Sequence, residues 1–242
     1  MASISALKTN CRKIVAIGRN YADHITELNS ARPKQPFFFL KPPSSILLPS
    51  SGPVQRPRGV DLHYEVELGL VMGQTLRDYD GTDAAIATDA IEAYILAIDL
   101  TARNVQAEAK KKGLPWTIAK GFDTFTPVSR IIPKTSIPDP HNLLLHLSVV
   151  SSAPGAPKEE LRQSDSTDLM LFRIPRLLSD ISKVMTLEKG DIVLTGTPKG
   201  VGPVVAGETM VAGCRVDGKE VEEGRIEVAV VDREGGYVFG ET

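Results

Sequence analysis

The chain has 242 residues, with 28 Lys and Arg against 30 Asp and Glu, a formal net charge of −2; 42% of it is hydrophobic and 24% charged. Those proportions exclude a collagenous, disordered or low-complexity chain. The near-neutral balance excludes a generic nucleic-acid binder, which needs surplus cations to displace counterions, and no run approaches the ~18–20 apolar residues that span a bilayer. Cys11 and Cys214 are too far apart in sequence to form a disulfide framework, which suits a reducing compartment.

Met1 to Lys13 carries Lys8, Arg12, Lys13, Ser3, Ser5 and Thr9 and no acid. That composition matches the end of a mitochondrial transit peptide and equally a frayed terminus, so mitochondrial and cytoplasmic locations both stay open. Lys13 to Ile17 is an apolar run stopped by Gly18 and predicts a strand. Asn20 to Asn29 is polar and predicts one or two helical turns. Ala31 to Pro57, rich in Pro and Ser, encloses Phe37 to Leu40, which reads as a buried strand between loops.

Glu65 to Met72 alternates strictly, with Val66, Leu68, Leu70 and Met72 on one face and Glu65, Glu67, Gly69 and Val71 on the other. Thr82 to Glu92 predicts a helix and Ala93 to Leu100 a strand carrying Asp99 near its end. Thr101 is the expected cap of a helix closed by Lys110, Lys111, Lys112 and Gly113, cations at the negative end of the dipole and glycine at the stop. Leu143–Val150, Ile192–Thr195, Thr209–Val216 and Ile226–Val231 predict strands. Leu169 to Met185 has helical spacing that Pro175 must kink or start. Strands outnumber helices without regular βαβ alternation, so the fold class is α+β and β-rich.

Glu65 and Glu67 share one strand face, where two like charges repel unless water or a cation neutralises them. With Asp99 as a third acid they make a hard oxygen set that suits Mg²⁺, Mn²⁺ or Ca²⁺; a solvated acid pair is the competing reading. His24 and Glu27 lie side by side on a helical turn, either as a surface pair or as a base with its orienting carboxylate. Arg19 can clamp a carboxylate or sit idle at the surface. Lys120 lies in an apolar stretch, where a lysine either snorkels or works in a site. Gly196 to Pro203 is a Gly/Pro turn after a strand, with glycines where backbone amides can approach a ligand. It lacks the order of a phosphate-binding P-loop, and no GxSxG, HExxH or CxxC occurs in the chain.

Five segments then occur in order: Gly18-Arg19-Asn20-Tyr21-Ala22-Asp23-His24, His63 to Gly69, Asp99-Leu100-Thr101-Ala102-Arg103, Lys111 to Trp116, and Gly190 to Pro198. Together they resemble the fumarylacetoacetate hydrolase domain family, in its eukaryotic acylpyruvase and oxaloacetate decarboxylase branch, from about Lys13 to Val231. The resemblance implies mixed β-sheets forming a β-roll. It also implies a flexible stretch over 1–12, one catalytic domain over 13–242, and a homodimer. It implies Mg²⁺ or Mn²⁺ held by Glu65, Glu67 and Asp99. His24 and Glu27 match a water-activating dyad on a segment that orders as a lid, so Lys13 to Asn29 is expected to be mobile without ligand. Lys120 matches an active-site lysine, and Arg19, Gln106 and Thr197 match positions near the substrate carboxylate or oxo group. Two departures stand out: Ser166 to Phe172 replaces the family's usual pocket loop, and Gly121 replaces a serine after the lysine.

The implied activity is metal-dependent C–C bond cleavage of a small 2-oxo acid, by acylpyruvate hydrolysis or oxaloacetate decarboxylation through a metal-stabilised pyruvate enolate. Keto–enol tautomerisation of oxaloacetate is the alternative, and a non-catalytic 2-oxo-acid binder is the alternative of another class. The expected partner is the small substrate, with neither nucleic acid nor membrane.

Overall fold

The computed structural model describes residues 4–27, 31–151, 155 and 158–240, so the end of the helical stretch expected up to Asn29 lies outside the described residues. In chain order the main elements are α1 (Ile4–Asn10), β1 (Ile14–Gly18), α2 (Ala22–Glu27), β2 (Phe37–Lys41), β3 (Val66–Met72) and α3 (Ala84–Ala90). There follow β4 (Ile91–Ile98), α4 (Arg103–Lys112), α5 (Thr117–Lys120), β5 (Leu144–Ser151) and β6 (Glu159–Ser166). The last are α6 (Ile174–Ser182), β7 (Ile192–Leu194), β8 (Glu208–Val216) and β9 (Ile226–Asp232).

The first sheet has the order Ile132–Pro133, β4, β3, β7, β1, β2. It is mixed: β1 runs parallel to β7, while β3 pairs antiparallel with both β4 and β7. The second sheet has the order β6, β5, β8, β9, Val54–Arg56, with the β9 pairing parallel. One continuous core takes Val66, Leu68, Leu70 and Met72 from β3 and Leu145, Leu147 and Val149 from β5. The two sheets therefore close on a shared apolar interior, the β-rich α+β architecture expected from the pattern.

The alternation of β3 has a different meaning from the one it suggests. Both faces of the strand are buried. Val71 packs in a second cluster with Ile14, Ala16, Ile95, Ile192 and Leu194, and Leu7 and Cys11 cover that cluster. This corrects the flexible stretch expected over 1–12. Residues 4–10 form α1 because the outer face of the sheet needs an apolar cover, and Lys8 Nζ fastens it to the Ile46 carbonyl at 3.0 Å. Nor is Lys13 to Gly18 part of a lid: β1 is an interior strand between β7 and β2.

Three further differences have local causes. The predicted strand from Glu65 breaks at that residue: Leu62–Tyr64 pairs with Thr101–Ala102, whereas Val66 starts the run against β4. Thr101 is therefore not a helix cap; α4 starts from Ala102 without a side-chain cap. β6 escapes sequence reading because it is an edge strand of Glu, Arg, Gln, Ser and Asp, in which only Gln163 is buried. Where the signals were local they hold. Gly113 ends α4 at φ 65°, and Pro175 starts α6 rather than kinking it.

Asp191 ties the N-terminal strand to its neighbour. Fully buried, it accepts from Lys13 Nζ, from the Lys13 N–H at 3.2 Å and from the Glu188 N–H at 2.9 Å. Removing one partner of a buried pair strands the other, at about 3 kcal/mol. Asp191→Ala should lower the unfolding free energy in urea by about that amount; a loss below about 0.5 kcal/mol would show that the pair is not structural.

Candidate active site

The register of β3 on β4 sets the centre. Val66 pairs with Ile98, so Glu65 and Glu67 at the start of one strand meet Asp99 just past the end of the other, and the Asp99 N–H donates to the Glu65 carbonyl at 2.8 Å. The three carboxylates each bring an oxygen within 4.8 Å of the others. All three are buried, at 7%, 1% and 1% exposure. Buried like charges at this spacing need cations or protons.

Three cations answer from three elements. Lys120, at the end of α5, donates to Glu65 Oε2 at 3.0 Å and Asp99 Oδ2 at 2.6 Å. Lys41, at the end of β2, donates to Asp99 Oδ1 at 2.6 Å and to the Phe125 carbonyl at 3.0 Å. Arg103, opening α4, donates to Glu65 Oε1 at 2.7 Å and Gln106 Oε1 at 2.8 Å. Thr101 adds its hydroxyl to Glu65 Oε1 at 3.0 Å.

The three acids then differ in state. Burial pushes the Glu65 carboxyl up, but Lys120 and Arg103 outweigh it and hold it well below the usual carboxylate range. Burial, with Asp99 and Glu65 alongside, pushes Glu67 well above that range, and the Gly196 N–H at 2.7 Å does not offset them. Burial also opposes the charge on Lys120, yet Asp99 and Glu65 keep it raised, whereas complete burial dominates at Lys41 and lowers it. Glu67 thus takes a proton unless another cation arrives. Three buried carboxylates within 4.8 Å of one another, with Glu67 pushed well above the usual range by burial and its acidic neighbours, form a donor set that fits a hard divalent ion.

Above this centre lies α2. His24 is buried, its Nδ1 3.3 Å from Glu27 Oε2. The Gly200 N–H donates to both Glu27 oxygens, at 3.1 and 3.2 Å, and Lys199 Nζ reaches Asp23 at 2.7 Å. Gly200 is required here: at φ +91° a Cβ would stand 2.0 Å from the Arg162 carbonyl oxygen. Burial lowers the His24 pKa against the opposing pull of Glu65 and Glu27, so the imidazole is neutral.

Buried Asn20 latches the entry to α2. It donates to the Thr195 carbonyl at 2.8 Å and the Phe172 carbonyl at 3.1 Å, and accepts the Phe172 N–H at 2.8 Å. The Ser166 to Phe172 segment, expected to shape the substrate pocket, instead grips this entry: Met170 bridges to Tyr21, and the Leu171 N–H donates to the Asn20 carbonyl.

His24, Arg19, Glu65, Glu67, Gln106, Lys120 and Thr197 all line one cavity of about 30 Å³. Glu27 and Asp99 contact it through His24 and Lys120. The nine residues singled out in the sequence therefore converge on one place. The Thr197 hydroxyl is already engaged, donating to the Val66 carbonyl at 2.8 Å and accepting from Gln163 Nε2 at 2.9 Å. Sequence reading passed over Lys41, Gln163 and Asn20 and gave Arg103 no role. Lys41 carried a signal: a lysine on the same strand face as Phe37 and Phe39 must find a buried partner. At Gly121 a Cβ would stand 2.6 Å from the Thr117 carbonyl oxygen, so the tight end of α5 leaves no room for a serine without adjustment.

The family model described as the C-terminal domain of fumarylacetoacetate hydrolase matches residues 13–231. The mitochondrial oxaloacetate tautomerase of Schizosaccharomyces pombe is 54% identical over 200 residues, covering 83% of this chain and 87% of that protein. The mitochondrial oxaloacetate decarboxylase of Dictyostelium discoideum is 48% identical, with 84% and 88% covered. Among solved structures, a yeast fumarylacetoacetate hydrolase family protein superposes with a TM-score of 0.84 at 40% identity, covering 97% of this chain and 99% of that one. Fumarylpyruvate hydrolase from Pseudomonas aeruginosa, in complex with Mn²⁺ and pyruvate, has a TM-score of 0.77 at 30% identity, with 92% and 91% covered.

Because Glu67 must lose its proton to ligate, metal binding should release a proton and weaken as the pH falls. Saturation at 100 times Kd should stabilise the fold by about 2.7 kcal/mol. Thermal melts with Mg²⁺ and Mn²⁺ should show that gain in the native chain. Glu67→Gln should melt like the metal-free protein whether or not metal is added. A full metal-induced shift in Glu67→Gln would remove this carboxylate from the ligand set.

Proposed function

We propose, on the premise that this chain belongs to the fumarylacetoacetate hydrolase family, that it is a divalent-metal-dependent enzyme of small 2-oxo acids whose substrate is oxaloacetate. The observation that carries the substrate is the charge balance. Glu65, Glu67 and Asp99 are matched by Lys41, Lys120 and Arg103, so a bound divalent ion leaves the inner site a surplus of positive charge, to which Arg19 and Lys110 on the cavity lining add. A dianion offsets more of that surplus than a monoanion does. Oxaloacetate is a dianion, and an acylpyruvate is a monoanion.

Mg²⁺ or Mn²⁺, held by Glu65, Glu67 and Asp99, would supply Lewis-acid polarisation of the 2-oxo group. The protein does the rest. The Lys120 ammonium donates to the oxygen that gains charge as the enolate forms. Arg19 and Gln106 orient the substrate, and Arg103 fixes Glu65. Neutral His24, oriented by Glu27, takes a proton, from C3 of oxaloacetate or from a water. Docked α2 keeps bulk water out.

Loss of CO₂ is the C–C cleavage expected from the motifs, and the Dictyostelium relative is called a decarboxylase. Tautomerisation is the second reading. It passes through the four-carbon enolate left when a C3 proton is removed, not the pyruvate enolate left by loss of CO₂, and the S. pombe relative is called a tautomerase. The specific observation in its favour is His24, a neutral base sealed into the same cavity as the Lys120 acid. The protein is mitochondrial, as these relatives are called. Arg12 and Lys13, two of the basic residues near the N-terminus, serve the fold by pairing with Glu188 and Asp191. A homodimer completes the proposal: a groove of about 750 Å³, with Leu47, Val128 and Val228 at its floor and Arg130, Glu222 and Glu227 along it, offers a face, and light scattering should give twice 26.1 kDa.

His24 separates the two reactions. Tautomerisation needs a proton carrier at C3, so His24→Ala should lower it roughly 10²–10⁴-fold. Decarboxylation breaks C3–C4 without that proton and should lose much less. Equal losses in both would mean that His24 acts through closure of α2 rather than as a base. Because burial keeps the imidazole below its ordinary 6.5, kcat/KM measured with metal kept saturating at each pH should hold steady down to that pH and decline only beneath it. An acid limb above pH 7 would contradict a buried neutral base.

A further inference from the structure

A row of aromatic and cationic groups runs along the rim of the cavity, and apart from Arg19 it takes no part in the chemistry above. The Arg19 guanidinium carbon lies 5.5 Å from the centroid of Phe37. Phe37 meets Trp116 edge-on at 5.6 Å, and Phe39 packs on the same indole at 5.4 Å. Lys110 Nζ lies 5.3 Å from the Trp116 centroid. Arg19 and Lys110 thus flank an aromatic wall, and both line the cavity.

Their charge differs from that of the inner cations. Lys41, Lys120 and Arg103 each have a carboxylate partner. Among the described residues, no ion pair to a carboxylate is formed by Arg19 or Lys110. An aromatic face attracts an ammonium but takes up none of its hydrogen-bond donors as a carboxylate would. Lys110 is therefore held in place with donors to spare. Arg19 adds a sign of constraint: its φ is +58°, a left-handed conformation that costs about 1–2 kcal/mol outside glycine. Such strain persists where the surroundings hold the side chain to a position.

We infer that Lys110 is the specificity residue for the substrate's distal carboxylate, at C4, and so selects dicarboxylic 2-oxo acids over acylpyruvates. This rests on the reading above, in which the C1 carboxylate and 2-oxo group lie at the acidic end of the cavity. The C4 carboxylate then points towards the rim, where Lys110 waits beside Arg19. In tautomerisation the interaction exists before and after proton transfer, so it acts on binding rather than on the barrier; in decarboxylation the C4 carboxylate is the group that leaves as CO₂, so the same contact steadies the bound substrate and opposes that step.

The test uses the Mn²⁺-loaded enzyme with Lys110→Met and Lys110→Arg. KM and kcat are measured for oxaloacetate and for acetylpyruvate, which has a methyl ketone in place of the distal carboxylate. The Kd of oxalate, which has no distal group, reports the integrity of the inner site. Followed by tautomerisation, Lys110→Met should raise the oxaloacetate KM roughly tenfold, about 1.4 kcal/mol, with kcat little changed. It should leave oxalate binding and the acetylpyruvate KM within about twofold, and Lys110→Arg should restore most of the loss. An unchanged oxaloacetate KM in Lys110→Met overturns the assignment. So does an equal weakening of all three ligands, which would show general attraction of anions instead of recognition at C4. A native enzyme that binds Mn²⁺ and oxalate but leaves oxaloacetate unchanged would sink the substrate reading itself, and this assignment with it.

Discussion

The antiparallel pairing of β3 with β4 forces three carboxylates into one buried space, and the rest of the site answers that constraint. Like charges a few ångströms apart in a dry interior cost several kcal/mol unless each finds a partner. The partners come from far along the chain: Lys41 from β2, Arg103 from α4 and Lys120 from α5. The break at Glu65 belongs to the same solution. It frees the Glu65 side chain to receive Arg103, Thr101 and Lys120 together, which a residue inside a regular strand pair could not easily do.

The backbone of β3 is held in turn by the second sheet. Gln163 accepts the Val66 N–H at 2.9 Å and donates to Thr197, whose hydroxyl returns to the Val66 carbonyl. One side chain on an otherwise polar edge strand thus satisfies the amide next to Glu65 and fixes the loop that carries Gly196 beside Glu67. The Gly196 backbone, at φ +94°, approaches Asn20 so closely that a Cβ would stand 2.8 Å from its Cβ. Core, turn and helix entry meet there without space for a larger residue.

How much of this was legible in the sequence depends on how local each signal was. The stop of α4 at Gly113 and the start of α6 at Pro175 are local events, and reading in sequence found them. So did the ordered motifs, which pointed to Glu65, Glu67, Asp99, His24 and Lys120. What escaped was non-local. Alternation in β3 could not reveal that both faces are buried, because the second cover is α1, more than fifty residues earlier. The polarity of β6 concealed a strand, since an edge keeps its charged residues in water. Thr101 looked like a cap, and only the pairing of Leu62–Tyr64 with Thr101–Ala102 turns its hydroxyl to Glu65. Lys41 gave a warning of a buried charge without naming the carboxylate it would meet.

The carboxylate of Glu27 has two tasks at once: it orients His24, and it accepts the Gly200 N–H that seats α2. Both His24 and Glu27 ride on α2, so of these two contacts lifting the helix breaks only the one to Gly200, and it carries the pair away from the cavity together. With α2 lifted, the imidazole leaves the cavity with its carboxylate still beside it, out of reach of a substrate held near Glu65 and Lys120. Closure and competence are therefore coupled: the imidazole reaches the cavity only while Gly200 holds α2 down, and the same seating excludes bulk water. The safeguard also links turnover to the lifetime of the closed state: a substrate too long to let Glu27 reach Gly200 would be bound and spared.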